Sequence, residues 1–140
     1  MNRRAFQKLA EMRLADARAL LKPKRYDAAY YMAGYTVECA LKACIAKRTK
    51  RHDFPAKDAN SLYTHELEAL LSHAGIKQAF DAERREDPAL DREWMVVKDW
   101  NPNTIRYEIR RMGAAQSAKA IVGAIENRQH GVLQCLSKYW

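Results

Sequence analysis

With 140 residues and no internal linker, the chain is long enough for a sizeable core, and we expect a single domain over residues 1–140. The 25 Lys and Arg residues exceed the 17 Asp and Glu residues, and the resulting formal charge of +8 favours polyanionic partners. The three cysteines have no metal-ligand spacing, which argues against a disulfide framework or a zinc site and predicts reduced thiols, no metal and a cytoplasmic location. No cofactor is expected, because the sequence has neither a GxGxxG motif nor a P-loop lysine after a glycine-rich turn.

The first half of the chain predicts two helices. The first runs from about Arg4 to Leu21, with Pro23 placed to stop it. The second begins with Asp27 as a helix N-cap and continues to about Lys50, so it is long enough to form the spine of the domain. No signal peptide is expected before the first helix, because the first residues lack an apolar core segment.

Shorter helices are predicted in the middle of the chain. Residues 51–63 are rich in turn-forming residues and predict a surface loop. Thr64 is placed to cap a short helix that Gly75 ends, and residues 76–84 have the pattern of one or two further helical turns. Pro88 is then suited to open another helix.

The end of the chain predicts one long helix over residues 114–140, although Gly123 and Gly131 lower its helix propensity. No strand pattern stands out, so the predicted fold class is all-α, an antiparallel helical bundle. A group of acidic residues near Pro88 alternates with arginines and is predicted to be solvated surface: Glu83, Glu86, Asp87 and Asp91.

The second predicted helix carries charges within its apolar stripe. At 3.6 residues per turn, Tyr31, Tyr35, Glu38 and Lys42 fall near one face of that helix. Burying either charge unpaired would cost several kcal/mol, so the two must pair with each other or line a cleft, and both interpretations remain open. The same charges interrupt the longest apolar run, residues 28–46, and therefore predict no membrane span.

A basic run follows at the end of the same helix, and it comprises Lys47, Arg48, Lys50 and Arg51. Such a patch is suited to contact the phosphates of a nucleic acid. Cations at a helix C-terminus also complement the helix dipole, so solubility and helix stability are the alternative explanation.

The tract RYDAAYYMAGYTVECALKA, followed by FP, THEL and WNPNTIRY, resembles the prokaryotic HEPN domain superfamily over about residues 13–107. The resemblance implies an up-and-down bundle of four main helices with one or two short extra helices, a homodimer, and a function linked to nucleotides or RNA. It also implies a possible minimal nucleotidyltransferase partner, since many such proteins form toxin–antitoxin pairs with one. A purely structural dimeric interaction protein is the remaining non-binding alternative.

Some members of that superfamily are metal-independent ribonucleases that carry an arginine, four to six further residues and then a histidine near the last helix. Here His130 lies in the last predicted helix, but no arginine stands at the required spacing before it. The resemblance therefore does not carry ribonuclease activity over, and no catalytic residue is assigned. A ribonuclease with a nonstandard pair, either Arg128 with His130 or Arg106 with His65, is the alternative.

Eight residues match the recurring polar and aromatic positions of the superfamily, and they are Tyr31, Tyr35, Glu38, Lys42, His65, Trp100, Arg106 and Tyr107. The resemblance implies that they form a cleft for a nucleotide or an unpaired RNA base. Lysine and arginine would contact phosphate oxygens, and aromatic faces would stack on the base. The alternative is that Glu38 forms a structural ion pair and that Trp100 belongs to the core.

Overall fold

The structure, a computed structural model, describes residues 1–49, 60–109 and 112–140. These residues form eight α-helices and one short 3-10 helix and include no β-strand, so the all-α prediction is confirmed. The α-helices are α1 (Arg3–Leu21), α2 (Tyr26–Lys47), α3 (Leu67–His73), α4 (Lys77–Glu86), α5 (Pro88–Val97), α6 (Pro102–Ile105), α7 (Ala114–Glu126) and α8 (Val132–Leu136). None of the described helices is long and apolar enough to cross a membrane.

Helix α1 pairs with α2 along most of its length. Its first turn is capped by Asn2, whose side-chain oxygen accepts a hydrogen bond from the Ala5 N–H at 2.9 Å. The buried side of the helix is spaced at three or four residues and consists of Phe6, Ala10, Leu14 and Ala17. The predicted helix from Arg4 to Leu21 is therefore confirmed to within one residue.

Helix α2 is the spine of the fold, because α1, α3, α6, α7 and α8 all pack against it. Two predicted details of α2 were wrong. Asp27 is not the N-cap, since the helix begins at Tyr26 and Asp27 lies within its first turn. The helix also ends at Lys47 rather than near Lys50, and the Thr49 hydroxyl donates to the Ala46 carbonyl at 2.9 Å in place of a further helical turn.

A glycine of α2 allows the loop between α5 and α6 to approach the helix. A Cβ atom at Gly34 would lie 2.0 Å from the indole ring of Trp100, which is closer than any real carbon contact. Trp100 is only 1% exposed. Close backbone approach at Gly34 therefore fixes the segment that leads into α6.

The middle segment follows the prediction only in part. Most of the loop predicted at 51–63 lies outside the described residues, and Asn60–Leu62 forms the 3-10 helix. The N-cap of α3 is Glu66 rather than Thr64, although the Thr64 hydroxyl accepts a hydrogen bond from the Glu66 N–H at 3.1 Å. Gly75 adopts a φ of 69° after α3 ends, as its position predicted.

Beyond α3, α4 is longer than the one or two turns predicted, and Asp87 caps α5 by accepting from the N–H groups of Ala89 and Leu90. Pro88 opens α5 as predicted.

The single long helix predicted over residues 114–140 was wrong. The chain breaks at Asn127, whose side-chain oxygen accepts hydrogen bonds from the N–H groups of Gln129 and His130, both at 2.9 Å. An asparagine side chain that bonds to nearby backbone competes with the helical ladder, and this explains why α7 ends before it. Gly131 then precedes α8, and a Cβ atom at this position would lie 2.3 Å from the Asn127 carbonyl oxygen.

Candidate functional site

Three polar side chains from the predicted cleft form one compact cluster, which we call the Glu38 cluster: Glu38, Lys42 and His65. Lys42 Nζ donates to one carboxylate oxygen of Glu38 at 2.8 Å, and His65 Nδ1 lies 2.9 Å from the other. Glu38 is only 4% exposed. Both oxygens of this buried carboxylate therefore have partners within the protein, an arrangement that a buried charge requires.

Aromatic rings surround the Glu38 cluster. Tyr35 packs edge-to-face against Trp100, with ring centroids 4.9 Å apart, and against His65 at 6.3 Å. The hydroxyls of Tyr31 and Tyr35 are 3.3 Å apart. Burial raises the pKa of Tyr35 well above its usual range, and the hydrogen bond with Tyr31 raises it further, so the Tyr35 hydroxyl stays protonated.

The last two predicted cleft residues, Arg106 and Tyr107, line a groove between the start of α2 and the end of α6, and the charge of Arg106 partly opposes the rise in the pKa of Tyr35. This α2–α6 groove has a volume of about 430 Å³ and is lined by Asp27, Ala28, Tyr31, Met32, Ile105, Arg106, Tyr107 and Glu108. Tyr31 belongs to both regions, because its hydroxyl contacts Tyr35 while its side chain lines the groove. The structure therefore divides the predicted cleft into a buried cluster and an open groove.

Arg106 is presented to solvent at the edge of the α2–α6 groove. Its Nη2 donates to Asn103 Oδ1 at 2.7 Å, and its Cζ atom lies 5.8 Å from the centre of the Tyr107 ring. No carboxylate in the described part of the chain lies within ion-pair distance of this guanidinium. Asn101 caps α6 by accepting from the Asn103 N–H at 2.9 Å, and this cap fixes the turn that carries Arg106.

Comparison with protein families connects this geometry to known proteins. The family model for the HEPN domain matches residues 4–127, nearly the whole chain. The chain belongs to the HEPN domain family. Membership indicates a function related to nucleotides or RNA. Comparisons with curated proteins and with solved structures found no match. The Glu38 cluster and the α2–α6 groove both lie within the part of the HEPN domain that the family model covers, whereas α8 follows it.

Asp27 is one of five groove residues that were not among the predicted cleft residues, and the sequence predicted only a capping role for it. Asp27 is half-buried and lines the groove, and no described residue donates a hydrogen bond to its carboxylate. Its Oδ1 atom is buried without a partner, which is uncommon for a carboxylate oxygen. The signal was present in the sequence, since Asp27 stands four residues before Tyr31 and so shares its face of the helix.

The predicted basic patch of the HEPN domain is only partly described. Lys47 and Arg48 are exposed at the end of α2, while Lys50 and Arg51 lie outside the described residues. Arg48 donates to the Ala74 carbonyl at 2.9 Å and lies against Gly75. Arg48 therefore ties the end of α2 to the end of α3 in addition to supplying charge.

A second pocket, which we call the α4–α8 pocket, has a volume of about 440 Å³ and is lined in part by residues beyond those that the HEPN family model matches. His130 Nδ1 lies 2.7 Å from Asp87 Oδ2 at this pocket, and Arg128 also lines it. The hydrogen bond from His130 is the largest cause that holds the pKa of Asp87 below its ordinary value. Asp87 was predicted to be solvated surface, but it joins the start of α5 to the segment between α7 and α8.

Glu83 lies in the same pocket and is also more engaged than predicted. Its carboxylate accepts hydrogen bonds from Cys135 Sγ at 2.6 Å, Lys138 Nζ at 2.7 Å and the Tyr139 hydroxyl at 3.0 Å. Burial opposes ionisation of Glu83, but these hydrogen bonds outweigh it and hold the pKa below its ordinary value. Burial, followed by the contact with Glu83, raises the pKa of Cys135 to about 12, so this thiol is not a nucleophile at neutral pH.

The other two cysteines of the HEPN domain, Cys39 and Cys44, are buried in α2. Burial raises the pKa of each thiol to about 12. In the part of the chain that the structure describes, no group of three or more His, Cys, Asp or Glu side chains is arranged to hold a metal ion.

Proposed function

We propose that this HEPN-family protein binds a nucleotide or an unpaired RNA base in the α2–α6 groove. The observation that carries the proposal is the pairing of Arg106, which has no ion-pair partner among the described residues, with Tyr107, a ring that is 84% exposed. A planar guanidinium suits phosphate oxygens, and an exposed aromatic face suits base stacking. The groove volume of about 430 Å³ is within the range of roughly 300–1,000 Å³ that is typical of small-molecule sites.

The two regions of the predicted cleft have different roles in this proposal. Arg106 binds phosphate, and Tyr107 and Tyr31 contact the base or sugar. The Glu38 cluster and Trp100 hold the helices that shape the groove, because both carboxylate oxygens of Glu38 have partners and the Trp100 ring packs against Tyr35. The net charge of +8 attracts the nucleic acid at long range and makes binding sensitive to salt.

Binding of a labelled single-stranded RNA, measured by fluorescence anisotropy across a salt series, tests this proposal. Arg106→Ala is expected to raise Kd about tenfold or more, since a charge-assisted hydrogen bond is lost, and to flatten the salt dependence by about one phosphate contact. Arg92→Ala is the matched control, because Arg92 is an exposed arginine on α5 away from the groove. Equal Kd values for these two variants would contradict the groove assignment.

Resolving the RNA products in the same samples tests whether the protein only binds. The proposal expects intact RNA, because the spacing of arginine and histidine typical of the ribonucleases in the superfamily is absent.

One observation favours ribonuclease activity as a second candidate function. The contact between Asp87 and His130 fixes one imidazole nitrogen, and Arg128 lines the same pocket, so a histidine and an arginine meet at a pocket of about 440 Å³. An oriented histidine can act as a general acid or base, and an arginine can stabilise a charged phosphate. This candidate requires RNA cleavage that His130→Ala abolishes while the circular dichroism spectrum stays unchanged.

The family resemblance also predicts a homodimer, a minimal nucleotidyltransferase partner, a toxin–antitoxin role and a bundle of four main helices. Three exposed apolar side chains close together in the sequence, Tyr107, Ile109 and Met112, support a protein contact. The large apolar side chains exposed among the described residues do not lie on α7 or α8. Sedimentation equilibrium of the purified protein tests the dimer, and loss of self-association in Ile109→Ser would assign it to this surface.

A further inference from the structure

We infer that the α2–α6 groove recognises guanine, and that Asp27 reads its base edge. The inference rests on the proposed function, because it assigns the base that occupies the same groove. Asp27 lines the groove with Tyr31 and Arg106, and none of the described residues donates a hydrogen bond to its carboxylate. A half-buried carboxylate without donors favours a ligand that brings N–H groups to it.

The chemistry of the base edges selects guanine. A carboxylate only accepts hydrogen bonds, and its two oxygens can accept two parallel ones. On its Watson–Crick edge guanine presents two adjacent donors, the ring N1–H and the exocyclic amino group. Adenine and cytosine place an acceptor next to their amino group, and uracil flanks its single N–H with two carbonyls. Each of the other three bases would therefore place at least one of its acceptor atoms against an oxygen of the Asp27 carboxylate, which is itself an acceptor.

The neighbouring groups suit the rest of a guanine nucleotide. Arg106 supplies a guanidinium for phosphate, and the exposed ring of Tyr107 next to it supplies a stacking surface. The torsion that turns the plane of an aspartate carboxylate has a broad minimum, so Asp27 can align both oxygens with two donors. In the structure Oδ1 is the Asp27 oxygen that is buried without a partner, and the rotation would bring it toward the ligand.

Helix stability explains the position of Asp27 but not its missing partners. A carboxylate in the first turn of α2 interacts favourably with the helix dipole. The interaction with the helix dipole does not require a ligand in the groove. An aspartate with only this role would be solvated or would accept a hydrogen bond from an N–H group of the first turn. Among the described residues no backbone N–H donates to the Asp27 carboxylate, and its Oδ1 atom is shielded from solvent.

Titration of the full chain with mononucleotides tests the inference. We expect GMP to bind at least about tenfold more tightly than AMP, because a bidentate contact discriminates by about 1–3 kcal/mol. IMP, which lacks the exocyclic amino group, should bind with intermediate affinity. These three measurements on the wild-type protein need no variant and so do not depend on whether a variant folds.

Asp27→Asn provides the sharper test. An amide offers one acceptor and one donor, so it can pair with adenine but can no longer accept from both donors of guanine, and the variant should lose the preference for GMP over AMP. Asp99→Asn is the matched control, because Asp99 is an exposed carboxylate that is bonded to Lys98 and does not line the groove. Its ratio of GMP to AMP affinity should equal that of the wild type.

The possible results separate this inference from the proposed function. Equal binding of GMP, IMP and AMP that Arg106→Ala weakens would overturn guanine recognition and leave the groove as a nucleotide site. No binding of any mononucleotide or of single-stranded RNA would overturn both. A GMP preference that persists in Asp27→Asn would also overturn the inference, since Asp27 would not be the residue that reads the base.

Discussion

Two carboxylates on one face of α2 have opposite environments. Asp27 and Glu38 are about three helical turns apart and so point in nearly the same direction. Glu38 is buried and bonded on both oxygens by Lys42 and His65, whereas Asp27 lines an open groove and has no donor in the described part of the chain. A charge that the fold has already neutralised stabilises the fold, and a charge that it leaves without partners is available to a ligand.

The largest expected effect concerns the buried member of this comparison. Glu38→Leu removes the buried carboxylate that both Lys42 and His65 contact, and we expect the free energy of unfolding to fall by about 3 kcal/mol. The double variant Glu38→Leu with Lys42→Met replaces both charges by apolar groups of similar volume and should regain part of that loss, although His65 still lacks its carboxylate partner. Urea denaturation of the three proteins measures both effects.

The same variants separate the structural role of Glu38 from a role in binding. If the Glu38 cluster only supports the fold, the double variant keeps the wild-type affinity for single-stranded RNA. A folded double variant that no longer binds RNA would instead place the ligand at Glu38 and Lys42. That result would join the two regions into the single cleft that the family resemblance implies.

The next largest effect concerns the contact between Gly34 and Trp100, which lies between the Glu38 cluster and the segment leading to the α2–α6 groove. Gly34→Ala puts a Cβ atom 2.0 Å from the Trp100 ring, and we expect overpacking to cost about 1–3 kcal/mol of unfolding free energy. Gly123→Ala is the matched control on α7, because a Cβ there meets no atom within 4 Å. That control should be about 0.5–1 kcal/mol more stable than the wild type, as alanine favours a helix. Similar denaturation midpoints for both variants would show that Trp100 can move away from Gly34 without a loss of stability.

Local sequence patterns predicted the elements but not which residues meet. The periodicity of α1 and α2, and Pro88 at the start of α5, were sufficient because each depends on nearby residues. The contacts of Glu38 with His65 and of Asp87 with His130 join distant parts of the chain, and no local pattern encodes them. The hydrogen bonds of Asn127 that interrupt the last helix are local, but they compete with an apolar pattern that favours continuity.

A smaller effect is expected at Asp87, which is more exposed than Glu38. The pKa of Asp87 is lowered in the folded protein, chiefly by the hydrogen bond from His130, so the stabilisation is present above the ordinary value of 3.8 and disappears as the pH falls through the lowered pKa. Asp87→Asn keeps a capping side chain at the start of α5 but loses this charge. Its stability deficit against the wild type should therefore be largest near neutral pH and shrink below pH 3.8.

Asp99→Asn is the reference for that pH series. It removes a carboxylate that forms only an exposed contact with Lys98 and should give little deficit at any pH. A deficit for Asp87→Asn that is constant with pH would assign its effect to the helix cap rather than to the charge.

The smallest effect on stability is expected at Tyr107. Its side chain is 84% exposed, so Tyr107→Ala should change the free energy of unfolding by no more than about 0.5 kcal/mol. The same variant should weaken RNA binding by about 1–3 kcal/mol because the stacking surface is lost, while Tyr107→Phe, which keeps the ring, should bind nearly as well as the wild type. Substitutions at Glu38 would then change the free energy of unfolding but not the RNA affinity, whereas substitutions at Tyr107 would change the RNA affinity but not the free energy of unfolding. An unstable Tyr107→Ala variant would mean that this ring supports the fold, and the groove would lose its stacking residue.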